Sequence, residues 1–121
     1  MAATTDTIAK RSDMLARFTR AAAKGWAYAN DNADKAVDLL LKEYPNLVRD
    51  DEKVAVPTLM KFVFTAATKT GGWGTFDPAV WQEQIALYDQ LQQFSAGPPK
   101  LDDVITTAIL DATKDARPRL G

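Results

Sequence analysis

Residues 13–30 read Asp13-Met-Leu-Ala-Arg-Phe-Thr-Arg-Ala-Ala-Ala-Lys-Gly-Trp-Ala-Tyr-Ala-Asn30, and they decide the fold class. Apolar Met14, Phe18, Ala22, Trp26 and Ala29 recur at steps of three and four, the period of one helix face. Leu15, Ala21 and Gly25 flank that stripe, and Arg17, Arg20 and Lys24 lie across from it. Asp13 is expected to cap the helix, because its carboxylate can accept from unpaired first-turn N–H groups. Gly25 costs roughly 1 kcal/mol against Ala in a helix interior. Its expected reason is close packing of another element beside Trp26.

The same period continues downstream. Asp31-Asn32 breaks the first helix, and Ala33 to Tyr44 predicts a second that buries Ala36, Val37, Leu40, Leu41 and Tyr44. Pro45 stops it, since the residue before a proline is pushed away from helical angles. Asn46 to Asp50 reads as a connector. Asp51 and Glu52 favour a third helix start, with Val54, Leu59, Phe62, Val63 and Ala66 as its apolar face. Pro57 either kinks that helix or marks its first turn. Asp77-Pro78 is a cap followed by a first-turn proline, opening a fourth helix to about Phe94. Trp81, Ile85, Tyr88, Leu91 and Phe94 are its expected buried face. Gly97-Pro98-Pro99 ends it as a stiff linker. Asp102 caps a fifth helix to about Lys114, with Val104, Ile105, Ala108, Ile109 and Ala112 apolar. No long alternating Val/Ile/Thr run predicts a strand. The expectation is an all-α fold of about five helices in a single domain over residues 1–121, with residues 115–121 frayed.

Composition narrows the chemistry. The 121 residues carry a net charge of −1, so no global field attracts nucleic acid or anionic lipid. The chain has no Cys, which removes disulfides, thiolate metal sites and thiol catalysis, and no His, which removes imidazole bases and ligands. The two serines, Ser12 and Ser95, have no base nearby in sequence, so no catalytic set assembles and no enzyme or cofactor is expected. Asp50-Asp51-Glu52 and Asp102-Asp103 read as helix-start capping rather than as acid–base pairs. Lys10, Arg11, Arg17, Arg20 and Lys24 read as a solvated helix face, with no interleaved aromatics to suit nucleic acid. The start, Met1-Ala-Ala-Thr-Thr-Asp-Thr-Ile, lacks the basic and apolar regions of a signal peptide. Apolar runs such as Leu39-Leu40-Leu41 are far short of the roughly 20 residues a membrane helix needs, so no membrane insertion is expected.

One irregular stretch has unusual content: Thr70-Gly-Gly-Trp-Gly-Thr-Phe-Asp-Pro78, three glycines and two aromatics in nine residues. It lacks the Gly-Lys-Ser/Thr ending of a phosphate loop. Trp73 either lines a pocket for a planar ligand or packs into the core at a turn, the commoner fate of an aromatic anchor.

Three segments read together resemble one family. They are residues 13–29, then Asn32-Ala-Asp-Lys-Ala-Val-Asp-Leu-Leu-Leu-Lys42 followed by Pro45, and Gly72-Trp-Gly-Thr-Phe-Asp-Pro-Ala-Val-Trp-Gln82. The pattern resembles the C-terminal portion of periplasmic substrate-binding proteins of ABC transporters. More narrowly, it is similar to the branch that binds the thiamine-pyrimidine precursor and related riboflavin or aromatic-ring ligands, a branch homologous to the eukaryotic thiamine-pyrimidine synthases. The likeness covers about residues 5–113. Members of that family are considerably longer and fold as two α/β lobes around a cleft, so this chain resembles a fragment or truncated relative. The resemblance implies a small aromatic ligand, an ABC permease as partner of the full-length protein, and a periplasmic or extracytoplasmic place for that protein. It puts Trp73 near the cleft, with Gly72 and Gly74 letting backbone approach closely, and leaves Trp26 and Trp81 structural. The synthase branch uses a histidine, and none exists here, so that activity is not expected of this chain.

A physical consequence follows. Helices that in such a lobe would cover a sheet keep their apolar stripes here, while little sheet is encoded. A homodimer or higher oligomer is therefore expected, since large apolar patches are rarely left open on a monomer. The competing expectation is a helical structural or interaction protein, oligomeric and without a small-molecule ligand.

Overall fold

The computed structural model describes residues 2–121, and among these the chain is all-α. Eight α-helices follow in order: α1 Thr5–Lys10, α2 Ser12–Asp31, α3 Ala33–Glu43, α4 Arg49–Val63, α5 Ala66–Gly71, α6 Pro78–Gln90, α7 Leu101–Val104 and α8 Ala108–Asp111. A 3₁₀ turn at Lys114–Ala116 closes the set. Four helices are long, and the rest are single turns or little more.

Local chemistry explains most boundaries. The Thr4 hydroxyl accepts from the Thr7 N–H at 3.2 Å and starts α1, a helix not foreseen from the sequence. Asp13 is not the cap of α2 but sits in its first turn, where its charge suits the helix dipole. Asn32 ends α2: its backbone N–H and its side-chain amide both donate to the Tyr28 carbonyl. Helix α3 stops at Tyr44, ahead of Pro45, as the restricted angles before proline require. Pro57 lies inside α4 rather than at its start. Nearby, the Thr58 hydroxyl donates back to the Val54 carbonyl at 2.7 Å. Asp77 Oδ1 accepts from the Ala79 N–H at 2.9 Å with Pro78 in the first turn, the expected start of α6.

The expected fifth helix is broken. Ile105 is extended at φ −129°, ψ 155°, and the region becomes α7, α8 and the 3₁₀ turn. The β-branched run Ile105-Thr106-Thr107 is poor in helix propensity, and the Thr106 hydroxyl accepts from the Ala108 N–H, which favours a fresh start there. Asp102 lies within the first turn of α7 rather than at its cap. Helix α6 ends at Gln90, short of Phe94, where Gln92 takes a positive φ of 54° and the Gln93 N–H donates to the Tyr88 carbonyl.

The chain divides into two compact units, residues 1–75 with 109–121, and residues 76–108. In the first, α3 packs on α4 and on α2, and α2 also meets α4 and α1. Its core is built from Ala16, Thr19 and Ala23 of α2, Val37 of α3, Met60 of α4, and Phe64. In the second, α6 meets α7, Ile85 is buried, and two edge-to-face ring pairs form: Phe76 with Trp81 at 6.2 Å and Tyr88 with Phe94 at 6.3 Å.

The buried face of α3 is the expected one, with Val37 buried and Ala36, Leu40 and Leu41 half-buried, whereas those of α2, α4 and α6 differ from expectation. On α2 the buried stripe is Ala16, Thr19 and Ala23, rotated by about one residue step, roughly 100°, from the Phe18 stripe. Phe18 is 59% exposed. The face that α2 turns to its partners thus carries small side chains, and Phe18 is left outside it. Nothing lies within 4 Å of a side chain placed at Gly25, so close packing is not its reason. Tyr44, Val54, Leu59 and Phe62 are also exposed, the last at 77%. On α6, Trp81 and Tyr88 are exposed, as is Leu91 just past its end, and only Ile85 is buried.

The accessible surface is 8785 Å². Large apolar side chains stand open in both units, among them Phe18, Val54 and Phe62 in the first and Val80, Leu87 and Leu91 in the second.

Candidate functional site

The glycine-rich turn lies at the end of α5. A Thr65–Thr68 box starts that helix, with the Thr65 N–H donating to the Thr68 hydroxyl at 2.7 Å. The Gly72 N–H closes it on the Thr68 carbonyl at 2.9 Å. The chain then turns sharply: the Thr75 N–H and hydroxyl both donate to the Gly72 carbonyl, at 3.2 and 2.7 Å. Gly72 is buried and has φ 81°, ψ 164°, a region open almost only to glycine. A side chain there would also press on Arg117, 3.1 Å from its Cβ and 3.2 Å from its carbonyl oxygen. Gly74, at φ 82°, faces the Leu110 side chain. Trp73 between them is half-buried.

Residues 115–121, expected to fray, are instead laid against this turn. The Trp73 N–H donates to the Pro118 carbonyl at 2.9 Å, and the Thr68 hydroxyl donates to the Leu120 carbonyl at 2.6 Å. Arg117 is buried, 6% exposed. Its Nη1 donates to the Trp73 carbonyl and reaches the Thr75 hydroxyl at 3.4 Å, and its Nη2 donates to the Leu110 carbonyl at 3.3 Å. Its Nε is buried without a hydrogen-bond partner. Burial holds the Arg117 guanidinium below its ordinary range; the Asp111 carboxylate opposes that shift and Arg119 adds to it. The group stays cationic at neutral pH all the same, since a guanidinium does not lose its proton in proteins.

The structure therefore brings Gly72, Trp73 and Gly74 together with a residue that the sequence reading placed in a loose tail. No local signal in the sequence around Arg117 and Pro118 marks that contact.

Two shallow cavities, of about 300 and 440 Å³, lie away from Trp73. The first is lined by Asp31, Lys35, Val37 and Lys53, the second by Met60, Lys61, Phe64 and Leu120, and Ala33 and Pro57 border both. Among the described residues, no three His, Cys, Asp or Glu side chains are grouped closely enough to hold a metal ion. Nor is any helix among them long and apolar enough to cross a membrane. No known protein family, curated protein or solved structure matches this chain.

Proposed function

We propose that this chain is a ligand-binding module: a substrate-binding component, or truncated relative of one, of an ABC-type transporter for a thiamine-pyrimidine precursor or similar aromatic small molecule. The observation that carries the reading is the Trp73 turn. Its indole is half-buried rather than sunk in the core, and a buried arginine ties its backbone to Leu110. A planar face held on a fixed backbone suits stacking of an aromatic ring, worth roughly 0.5–1.5 kcal/mol beyond the area covered. The residue pattern around Gly72 to Gln82 supports the same reading. No catalytic role is assigned; a permease would be the partner of the full-length, extracytoplasmic protein.

The uncovered helix faces favour the second reading, a helical interaction protein, and under either reading they favour a homodimer. Phe18, Val54, Phe62 and Leu91, each more than half exposed, are the side chains that such a second copy would cover.

Titration of hydroxymethylpyrimidine and of a flavin against tryptophan fluorescence tests the binding reading. Saturable quenching is expected, and its loss in Trp73→Phe. A flat titration at millimolar ligand would leave the interaction reading alone.

A further inference from the structure

We propose that Arg117 is the positioning residue of the Trp73 turn, acting as a fork that sets where the indole is presented to an aromatic ligand. The proposal rests on the binding reading above for its ligand and on geometry for its mechanism. Arg117 lies 44 positions beyond Trp73, yet its two terminal nitrogens reach three acceptors: the Trp73 carbonyl, the Thr75 hydroxyl and the Leu110 carbonyl. Two belong to the turn and the third to the end of α8. The guanidinium thus bridges two segments that share no helix. The return contact runs the other way, from the Trp73 N–H to the Pro118 carbonyl. Trp73 is therefore held by both its N–H and its C=O, and both partners come from residues 117–118.

The shape of the group matters more than its charge. A planar fork serves acceptors on two sides at once, whereas a lysine ammonium is a point donor. The buried Gly72 completes the fit, since the Arg117 stem occupies the space that any larger residue at 72 would need. Arg117 does not touch the ligand in this account. It acts through the Trp73 backbone.

Amide hydrogen exchange by NMR separates positioning from general stability, because global unfolding speeds all protected amides together while local opening speeds only its own segment. Arg117→Lys is expected to speed exchange of the Trp73 amide by about tenfold, the loss of one to two ordinary hydrogen bonds. The amides of buried Ala23 and Val37 should stay within about twofold of the parent. Arg117→Ala should behave alike, and millimolar methylguanidinium should restore Trp73 protection there and leave Arg117→Lys unchanged. Equal acceleration of Trp73, Ala23 and Val37, or none, would overturn the proposal. In a flavin titration, Arg117→Lys should weaken binding at least threefold; unchanged affinity would overturn the ligand-presenting role. If the parent binds no flavin or pyrimidine, the binding reading fails by itself. The exchange result still decides whether Arg117 holds the turn.

Discussion

Replacing Gly72 by alanine tests the geometry of the turn at its tightest point. Two effects add. The backbone at φ 81°, ψ 164° is nearly closed to residues with a Cβ, a strain of order 1–3 kcal/mol. The methyl would also sit 3.1 Å from the Arg117 Cβ and 3.2 Å from its carbonyl oxygen, closer than ordinary contact, so the C-terminal segment must yield. Together the expected loss is about 2–4 kcal/mol, a melting temperature lower by roughly 10–20 °C for a body of this size. Gly74 is the internal control. Its φ of 82° is also unfavourable for alanine, but a methyl there would meet only Leu110 Cδ2 at 3.5 Å. Gly74→Ala should therefore cost about 1–2 kcal/mol, backbone strain alone. Urea and thermal unfolding followed by far-UV circular dichroism would measure both. A Gly72→Ala protein within about 0.5 kcal/mol of the parent, or no more affected than Gly74→Ala, would refute the packing of Arg117 against this turn.

Three further substitutions probe the helices. Gly25→Ala places a methyl in open space in the interior of α2 and should stabilise by about 0.5–1 kcal/mol in urea unfolding. Thr19→Val removes a fully buried hydroxyl that has no hydrogen-bond partner and should stabilise by about 1 kcal/mol; a loss would mean that the hydroxyl is satisfied. Asp77→Ala removes the acceptor for the Ala79 N–H and should cost about 1 kcal/mol, with any loss of far-UV signal confined to α6.

Helix identity was readable where local chemistry acts alone. The three- and four-residue spacing, the Asp77-Pro78 start and the Tyr44-Pro45 stop are decided within a few residues, and each appears in the structure. The burying face was not readable, because Phe18 and Thr19 stand one step apart and the choice between them is made by the partner helices. Ala16, Thr19 and Ala23 look unremarkable in sequence and matter only once α3 and α4 lie alongside. The same holds for the site. Three glycines around Trp73 announce a turn, but nothing near residue 117 announces its partner 44 positions away. A lone arginine before a proline at the end of a chain carries no periodicity, and its burial is a tertiary fact.

The most direct measurement is the mass of the protein in solution by sedimentation equilibrium, from micromolar to hundreds of micromolar. Phe18, Val54, Phe62 and Leu91 are exposed, and a second copy covering them would make the protein a dimer. The expected result is a mass twice the 13.3 kDa of the chain, falling toward one chain on dilution. A folded species that stays at 13.3 kDa throughout would contradict a covering second copy.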